Sequence, residues 1–140
     1  MNKKIVGKKE VISIIDLELF HIDAKVDTGA DSNALHCDNI DINEEDNTVS
    51  FTLLNEIHES YNGKRVTFPL HRIKKVKSSN GQLQLRPSIK VSVEFFGKRY
   101  KSIISLTNRA DMKFPMLIGR RFLSGRFLVD VEAEYLSKKI

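Results

Sequence analysis

The apolar residues of this chain recur at every second position over several stretches. The alternating stretches are residues 20–26, 49–53 and 89–95, and the first of them begins with Phe20. Alternation of apolar and polar side chains is typical of strands that bury one face and expose the other. The pattern therefore predicts a protein made mostly of half-buried β-strands.

Turn-forming residues mark where these strands end. Gly97-Lys98 lies between residues 89–95 and 100–106 and predicts a hairpin. Ser78-Ser79-Asn80-Gly81 predicts a second turn, which follows a basic strand. The best helix candidate is short, from about Arg120 to Ser124, and is ended by Gly125. Many short strands with one short helix favour a closed β-barrel.

Length and composition narrow the class of protein. At 140 residues the chain fits a single domain, residues 1–140, which can bury a core. No run approaches the roughly 20 apolar residues of a spanning helix, and Lys8, Lys9 and Glu10 interrupt any apolar leader segment. Cys37 is the only cysteine, so no internal disulfide can form. We expect a cytoplasmic protein with no membrane partner.

The net charge of +5 is unevenly distributed along the chain. Residues 38–59 contain seven acidic residues and no Lys or Arg, whereas residues 64–101 contain eleven basic residues and one acid, Glu94. Such asymmetry can attract an acidic partner or substrate. A solvated outer face of a sheet would give the same pattern, and the charges alone leave both interpretations open.

The most distinctive local feature is a carboxylate turn at the end of the first alternating stretch. Asp27-Thr28-Gly29 follows Val26 and is succeeded by Ala30-Asp31-Ser32. Asp and Thr bind nearby amides and Gly accepts a positive φ, so the triplet also occurs in plain turns. On its own, the triplet favours a plain turn.

A second segment changes that interpretation. Residues 114–123 form an apolar stretch that ends in Gly119 and Arg120 and leads into the candidate helix. The retropepsins, which are homodimeric viral aspartic proteases, carry Asp-Thr-Gly-Ala-Asp early in the chain and an apolar stretch with Gly-Arg near its end. This sequence resembles both motifs in the same order. Residues 27–31 match the first motif, and Ile118, Gly119 and Arg120 match the second.

A closer resemblance covers nearly the whole chain. In addition to these motifs, Ala34-Leu35-His36, Arg86-Pro87, Asn108-Arg109 and residues 125–130 resemble the bacterial retropepsin-like family associated with RimK-type glutamate ligases. The resemblance implies a mostly β, retropepsin-like closed barrel with one short C-terminal helix. The sequence differs from the family pattern at Asp31, where many relatives carry a basic residue. The charge at this position affects which substrate the family resemblance implies.

The resemblance implies aspartic-protease chemistry in a homodimer. That chemistry uses two carboxylates about 3 Å apart that share one proton. The chain has one Asp-Thr-Gly and is too short for two such lobes, so a second Asp27 would come from a two-fold partner. Thr28 would hold the turn at the dimer axis, and Gly29 would let the substrate backbone approach closely.

Further residues are candidates for binding substrate or supporting the turn. We expect an ion pair between Asp31 and Arg120, with Gly119 and Arg120 as structural support. The candidate substrate-binding residues, which include a flap at the turn of the basic hairpin, are Ala30, Asp31, Ser78, Ser79, Asn80, Gly81 and Arg86. The basic segment suits an acidic peptide, and the resemblance implies a protein with a poly-glutamate tail of the kind that RimK-like ligases add.

Members of this family are often labelled ATP-dependent zinc proteases, and the sequence supports neither part of that label. It contains no phosphate loop that ends in Gly-Lys-Ser/Thr and no His-Glu-x-x-His zinc motif. His36 and Cys37 are adjacent and point to opposite faces of a strand, while His58 and His71 are isolated. We expect structural or exposed histidines, a buried apolar thiol at Cys37, no metal and no cofactor.

Three functions remain open at this point. The first is a homodimeric aspartic endopeptidase that acts on acidic peptides. The second is a catalytically silent retropepsin-like module that binds and regulates a RimK-type glutamate ligase. The third is a basic β domain that binds RNA or the ribosome, and it is disfavoured because Tyr61, Phe68 and Tyr100 are too sparse for a base-stacking surface.

Overall fold

The computed structural model describes residues 2–77 and 79–139, and its side chains up to residue 138. Within these residues it contains one short α-helix, α1 (Arg120–Leu123), and 3₁₀ turns at Ile15–Leu17 and Leu136–Lys139. The strands in chain order are β1 (Lys4–Val6), β2 (Lys9–Ile14), β3 (Leu19–Val26), β4 (Asn33–His36), β5 (Asp38–Asn43), β6 (Thr48–Thr52), β7 (Arg65–Pro69), β8 (Arg72–Lys77), β9 (Leu83–Phe95), β10 (Lys98–Thr107), β11 (Met116–Ile118) and β12 (Phe127–Val129).

Six strands form a closed barrel in the order β10-β4-β11-β3-β2-β9, and β9 pairs with β10 to close it. The short strand β11 lies between β3, to which it is parallel, and β4, to which it is antiparallel. Strand β8 extends the barrel sheet as a hairpin partner of β9, and β5, β6 and β7 form a separate antiparallel sheet. The predicted mostly β, retropepsin-like closed barrel with one short C-terminal helix is confirmed.

Strand β3 shows both the success and the limit of the alternation pattern. Ile22, Ala24 and Val26 are buried, as alternation predicts, whereas Phe20 at the start of the same stretch is 56% exposed. The reason is a register shift against β2 and a left-handed backbone at His21, with φ of 54°. The irregularity turns the first residue of the stretch outward and leaves the strand leading to Asp27 regular.

An aromatic cluster anchors α1 to the barrel. Phe122 of the helix packs against Phe95 with ring centroids 5.7 Å apart and against Tyr100 at 5.3 Å. Phe127 stacks on the other side of Phe122 at 6.0 Å. Aromatic pairs at such distances add to the burial that holds an element in place. The cluster thereby holds the segment that contains Gly119 and Arg120 against the barrel.

The predicted hairpins are present. Strands β9 and β10 pair on either side of Phe96-Gly97, and Gly97 has a φ of 75°, which favours glycine. Strands β8 and β9 pair across the predicted turn, of which Ser79, Asn80 and Gly81 are described and Ser78 lies outside the described residues. None of the helices in residues 2–77 and 79–139 has the length and apolar character needed to cross a membrane.

The terminal strands form a small parallel sheet next to the end of β3. The Lys8 carbonyl accepts a hydrogen bond of 2.9 Å from the Val26 amide, so β1 lies near the end of the barrel where Asp27 follows β3. Ile5 of β1 and Leu128 of β12 are register partners and are 50% and 54% exposed. The sheet therefore presents an apolar surface near that end of the barrel.

Candidate functional site

Asp27 follows the last residue of β3, where the neighbouring strand β11 also ends. The Asp27 amide donates to the Ile118 carbonyl at 2.9 Å, and the Ala30 amide donates to the Asp27 carbonyl at 3.1 Å, which closes the turn. The Gly29 amide donates to Oδ1 of Asp27 at 3.0 Å. The turn therefore orients the Asp27 carboxylate through Oδ1. Asp27 remains partly exposed to solvent.

The Gly-Arg segment after β11 holds the Asp27 turn from the other side. The Arg120 amide donates to the Ala30 carbonyl at 2.8 Å, and the Arg120 guanidinium donates to the Thr28 carbonyl at 3.0 Å. A Cβ at Gly119 would lie 2.6 Å from the Ser32 carbonyl oxygen and 2.9 Å from that of Ala30. Glycine is thus required because the two segments approach backbone to backbone.

Asn33, which the sequence did not indicate, joins two strands and the turn before α1 at this point. Its Oδ1 accepts a hydrogen bond of 2.9 Å from the Gly119 amide, and its Nδ2 donates to Ser102 Oγ at 2.8 Å. Asn33 is 2% exposed, so both bonds are shielded from water. It links β4 to β10 and to the turn before α1. No local signal in the sequence marked Asn33, because β4 has a polar residue at each end.

Asp31 lies between two arginines at the surface. Its Oδ1 is 3.6 Å from Arg120 Nη2 and 3.2 Å from Arg121 Nε. The side chains are substantially solvated, at 44% for Asp31, 54% for Arg120 and 73% for Arg121. The expected contact between Asp31 and Arg120 is present, and Arg121, which the sequence analysis did not single out, is closer. Solvent weakens both pairs, so their role is local positioning.

A basic cleft of about 680 Å³ opens beside Asp31. Asp31 is the one acidic residue among the described residues that line it. The basic residues of its lining are His71, Arg72, Lys74, Lys75, Arg86, Lys90, Lys101, Arg121 and Arg126. Asp31 is the first residue after the Asp27 turn that lines the cleft, and residues 27–30 do not line it. The fold thus gathers cations from β8, β9, β10 and the α1 segment on one side of the Asp27 turn.

The hairpin of β8 and β9 presents different chemistry on its two faces. Lys74 pairs with Arg86 across the strands, and both line the cleft. Leu83 and Leu85 belong to the opposite face, which also carries their cross-strand partners Lys77 and Lys75, and are 63% and 41% exposed. The Nε of Arg86 is buried and has no hydrogen-bond partner among the described residues. The basic face of the hairpin therefore carries donor capacity that a bound anion could use.

The tip of this hairpin lies away from the cleft. Ser79, Asn80 and Gly81 are exposed, and none of the three belongs to the residues that line the cleft. Gly81 has a φ of 84°, which suits the tight turn. Of the predicted substrate-binding residues, the structure thus brings Asp31 and Arg86 to one cleft and leaves these three at a solvent-exposed tip. Ser78 lies outside the described residues.

The remaining histidines and the cysteine differ in their surroundings. The interpretation of His58 as isolated is wrong, because its Nε2 lies 2.8 Å from Nδ1 of His36. The two are 2% and 7% exposed, whereas His71 is exposed. Cys37 is fully buried, and burial raises its pKa to about 12, which makes it an inert thiol. Within the described part of the chain, no third His, Cys, Asp or Glu joins the histidine pair to make a metal-binding group.

The closed barrel, with an Asp-Thr-Gly turn clamped by a Gly-Arg segment, defines a retropepsin-like protein. The family is shown by sequence: residues 5–140 match the model of the RimB-like family, described as "Retropepsin-like aspartic endopeptidase RimB". The chain belongs to this family.

Similar proteins place the same segment in longer chains. The chain is 32% identical over 135 residues to a "Probable alpha-L-glutamate ligase" of Shewanella halifaxensis, and 32% identical over 139 residues to a protein of that name from Parasynechococcus marenigrum. These matches cover 92% and 95% of this chain, which spans only 29% of each relative. The crystal structure of a protein of unknown function from Legionella pneumophila is similar with a TM-score of 0.72 and 27% identity, over 97% of this chain and 99% of that one.

Proposed function

We propose that this protein is an aspartic-type endopeptidase that works as a homodimer and hydrolyses acidic peptide segments. The observation that carries the proposal is the Asp27 carboxylate, which stands partly exposed on a turn held by Gly29, Thr28 and Arg120. A catalytic acid needs a fixed position and access to substrate, and this turn offers both. The family description supports the same reaction class.

The chemistry requires two such carboxylates about 3 Å apart, of which one is ionised and the other protonated. The ionised Asp27 accepts a proton from a bound water, and the water oxygen bonds to the peptide carbonyl carbon. The protonated Asp27 of the second subunit gives its proton to the carbonyl oxygen. When the tetrahedral intermediate collapses, one of its two hydroxyl groups returns a proton to the second Asp27, the C–N bond breaks and the nitrogen takes the proton held by the first Asp27, which leaves an acid and an amine.

The second Asp27 is proposed to come from a second copy of the chain. Each chain has one Asp-Thr-Gly turn, and the terminal sheet lies close to the end of β3 that leads into it. The half-exposed Ile5 and Leu128 of that sheet would be covered if two copies met there. Thr28, which is exposed, would lie near the two-fold axis, and Gly29 would admit the substrate backbone.

The basic cleft beside Asp31 supports an acidic substrate. Eight Lys and Arg side chains line it with a single carboxylate, Asp31, and such a field attracts an anionic chain. Arg72 and Lys74 lie on the cleft side of the hairpin, and Arg86 adds its buried Nε. We propose that Ala30, Asp31 and Arg86 contact the peptide near the cut and that residues 78–81 close over it. A poly-glutamate tail is the substrate that this charge suits best.

A mixing experiment tests the shared dyad. Wild-type protein is held constant while folded Asp27→Asn protein is added in increasing excess, and cleavage of a fluorogenic glutamate-rich peptide is followed. If each active site needs Asp27 from both subunits, Asp27→Asn alone is inactive and excess variant drives wild-type activity toward zero as subunits exchange. Co-purification of untagged wild type with affinity-tagged variant measures whether mixed dimers form.

The matched control is Asp23→Asn, which changes an exposed carboxylate on the same strand. It should leave cleavage intact and should not poison the wild type. Full wild-type activity in the presence of demonstrated mixed dimers would contradict a dyad built from two subunits. Equal cleavage of a glutamine-matched peptide would contradict the proposed acidic specificity.

A second candidate function is supported by the relatives named as glutamate ligases, since this chain matches only 29% of their length. In this alternative the retropepsin-like segment binds and regulates a RimK-type ligase without cutting peptide bonds. Asp27→Asn would then alter ligation no more than Asp23→Asn does. Measuring the length of the glutamate tail made by a ligase with each variant present distinguishes the two candidates.

A further inference from the structure

A buried histidine pair lies at the end of β4 opposite to the Asp27 turn. His36 Nδ1 and His58 Nε2 are 2.8 Å apart, and their rings meet nearly edge to face, with an interplanar angle of 78°. His36 is the last residue of β4, and His58 belongs to the loop formed by residues 55–63, which joins β6 to β7. The contact therefore connects a barrel strand to a loop of the acidic segment.

We propose that the His36–His58 contact is an acid-sensitive latch, which holds the 55–63 loop against β4 at neutral pH and releases it as the pH falls. This proposal does not depend on peptidase activity. It concerns the loop alone and follows from the hydrogen-bonding capacity of two imidazoles. A neutral imidazole has one N–H and one acceptor nitrogen, whereas a protonated imidazole has two N–H groups and no acceptor.

The geometry fixes how many protons the closed pair can hold. One nitrogen must donate and the other must accept at 2.8 Å, so at least one ring stays unprotonated while the latch is closed. If both rings were protonated, two N–H groups and two positive charges would face each other away from water. The open loop has no such restriction, because each ring can then be hydrated and take up its own proton.

The charged groups around the pair modulate this behaviour. Burial lowers the pKa of His36 and of His58 below the ordinary value of 6.5, and the neighbouring His36 lowers that of His58 further. Asp38 on β5 opposes these effects on both rings, and Asp111 opposes them on His36. Lys113 lines the same cavity as His58, and the loop's own acids, Glu56 and Glu59, are exposed.

Because the pKa values of both histidines are lowered in the closed state, acid shifts the equilibrium of the loop toward the open state. At pH values well above 6.5, about one unit or more, the closed and open states are both unprotonated, and the latch keeps its full strength. Below 6.5 the open state takes up more protons than the closed state, so acid favours opening. Each additional proton bound by the open state changes the opening equilibrium about tenfold per pH unit. Asp38 also holds the start of the 55–63 loop directly, because both of its carboxylate oxygens accept a hydrogen bond from Asn55 Nδ2 at 3.1 Å.

Amide hydrogen exchange on the full chain tests the latch. The reporters are the amides of His58 and Tyr61, which are hydrogen-bonded within the loop, and their protection is corrected for the intrinsic pH dependence of exchange. We expect protection to be constant well above pH 6.5 and to fall about tenfold per pH unit below it. Amides of β9 and β10 should keep their protection over the same range.

Two variants separate the latch from general acid sensitivity. His58→Gln keeps an amide that can donate or accept but cannot titrate, and we expect the pH dependence of loop opening between 6.5 and 5 to shrink to that of the one remaining buried histidine, His36. His71→Gln removes an exposed histidine and should leave the dependence unchanged. If the loop of His58→Gln still opens with the wild-type pH dependence, the latch is refuted.

A titration of the wild type keeps the proposal testable even if His58→Gln fails to fold. Imidazole ¹⁵N resonances should show two coupled histidines that titrate below 6.5 in the closed protein. Two independent midpoints at or above 6.5, with the loop amides still protected, would overturn the proposal.

Discussion

The two ends of β4 place polar and ionisable groups in opposite surroundings. At its start, Asn33 holds a backbone turn in place, and the carboxylates of Asp27 and Asp31 remain in contact with solvent. At its end, His36 is buried, pairs with His58 and is followed by the buried Cys37. Asn33 and His36 are equally buried, so the difference teaches that the loops at the two ends of β4, and not the strand itself, decide whether an ionisable group can meet a substrate.

The thiol at the buried end should be unreactive, and Cys37 gives the largest expected effect. Because burial raises the pKa of its thiol from 9.0 to about 12, the thiolate fraction near pH 8 falls about a thousandfold. We expect native protein to react with a disulfide reagent at least that much more slowly than protein unfolded in guanidinium. An exposed reference thiol at the hairpin tip, Ser79→Cys, should react quickly in the same sample. Rapid native labelling of Cys37 would remove the contrast between the two ends.

The end of β4 next to the Asp27 turn depends on the close approach of the Gly119 backbone to the backbone of residues 30–32. In Gly119→Ala the new Cβ would meet two carbonyl oxygens closer than 3.0 Å, and backbone atoms cannot move aside as a flexible side chain could. We expect a loss of about 3 kcal/mol in the free energy of unfolding, measured with urea.

Gly125→Ala is the control for Gly119→Ala. It has no atom within 4 Å of the new Cβ but has a φ of 80°, so it should cost only about 1 kcal/mol. If the two variants lost the same free energy of unfolding, the crowding at Gly119 would not contribute to the cost of Gly119→Ala.

Asn33 should matter more than the hydroxyl that it contacts. Asn33→Leu leaves the Gly119 amide without its buried acceptor, and an unsatisfied buried donor costs about 2 kcal/mol. Ser102→Ala removes only the acceptor of the Asn33 amide group and should cost about 1 kcal/mol. Thermal unfolding of both variants measures the difference. If Ser102→Ala proved the more harmful, Asn33 could not be the link that holds the turn.

The arginines around Asp31 should give the smallest effects. Arg121→Ala removes a pair whose side chains are 73% and 44% exposed, and solvent-screened pairs contribute about 0.5 kcal/mol. Arg120→Ala should cost more, because Arg120 also donates to the Thr28 carbonyl. Chemical unfolding at low and high salt checks both values. A loss above 2 kcal/mol in Arg121→Ala would mean that Asp31 is not merely a surface partner.

Much of the architecture could be predicted from local features of the sequence. The hairpin at Gly97, the turn before Gln82 and the short helix after Gly119 all lie where alternation and turn residues indicated. Such features depend on side chains within a few positions of one another. That residues 1–140 form one domain, and that Asp27, Thr28 and Gly29 are catalytic, stay predictions.

Other features could not be predicted, because they depend on partners that are distant in the chain. His36 and His58 are separated by 22 positions, and Asn33 and Gly119 by 86. His58 looked isolated in the sequence, and nothing in the sequence singled out Asn33. No local pattern indicates that β11 inserts between β3 and β4, and this insertion brings Gly119 next to Asn33.

By itself, the sequence determined several of the strands, where they turn and which two motifs resemble those of the retropepsins, because these properties follow from neighbouring residues. Only the tertiary structure decided which side chains meet: it set Arg121 beside Asp31, gathered the cations of β8, β9 and β10 into one cleft, and joined His36 to His58. The physical reason is that strand order and register, which determine these contacts, result from packing the whole core.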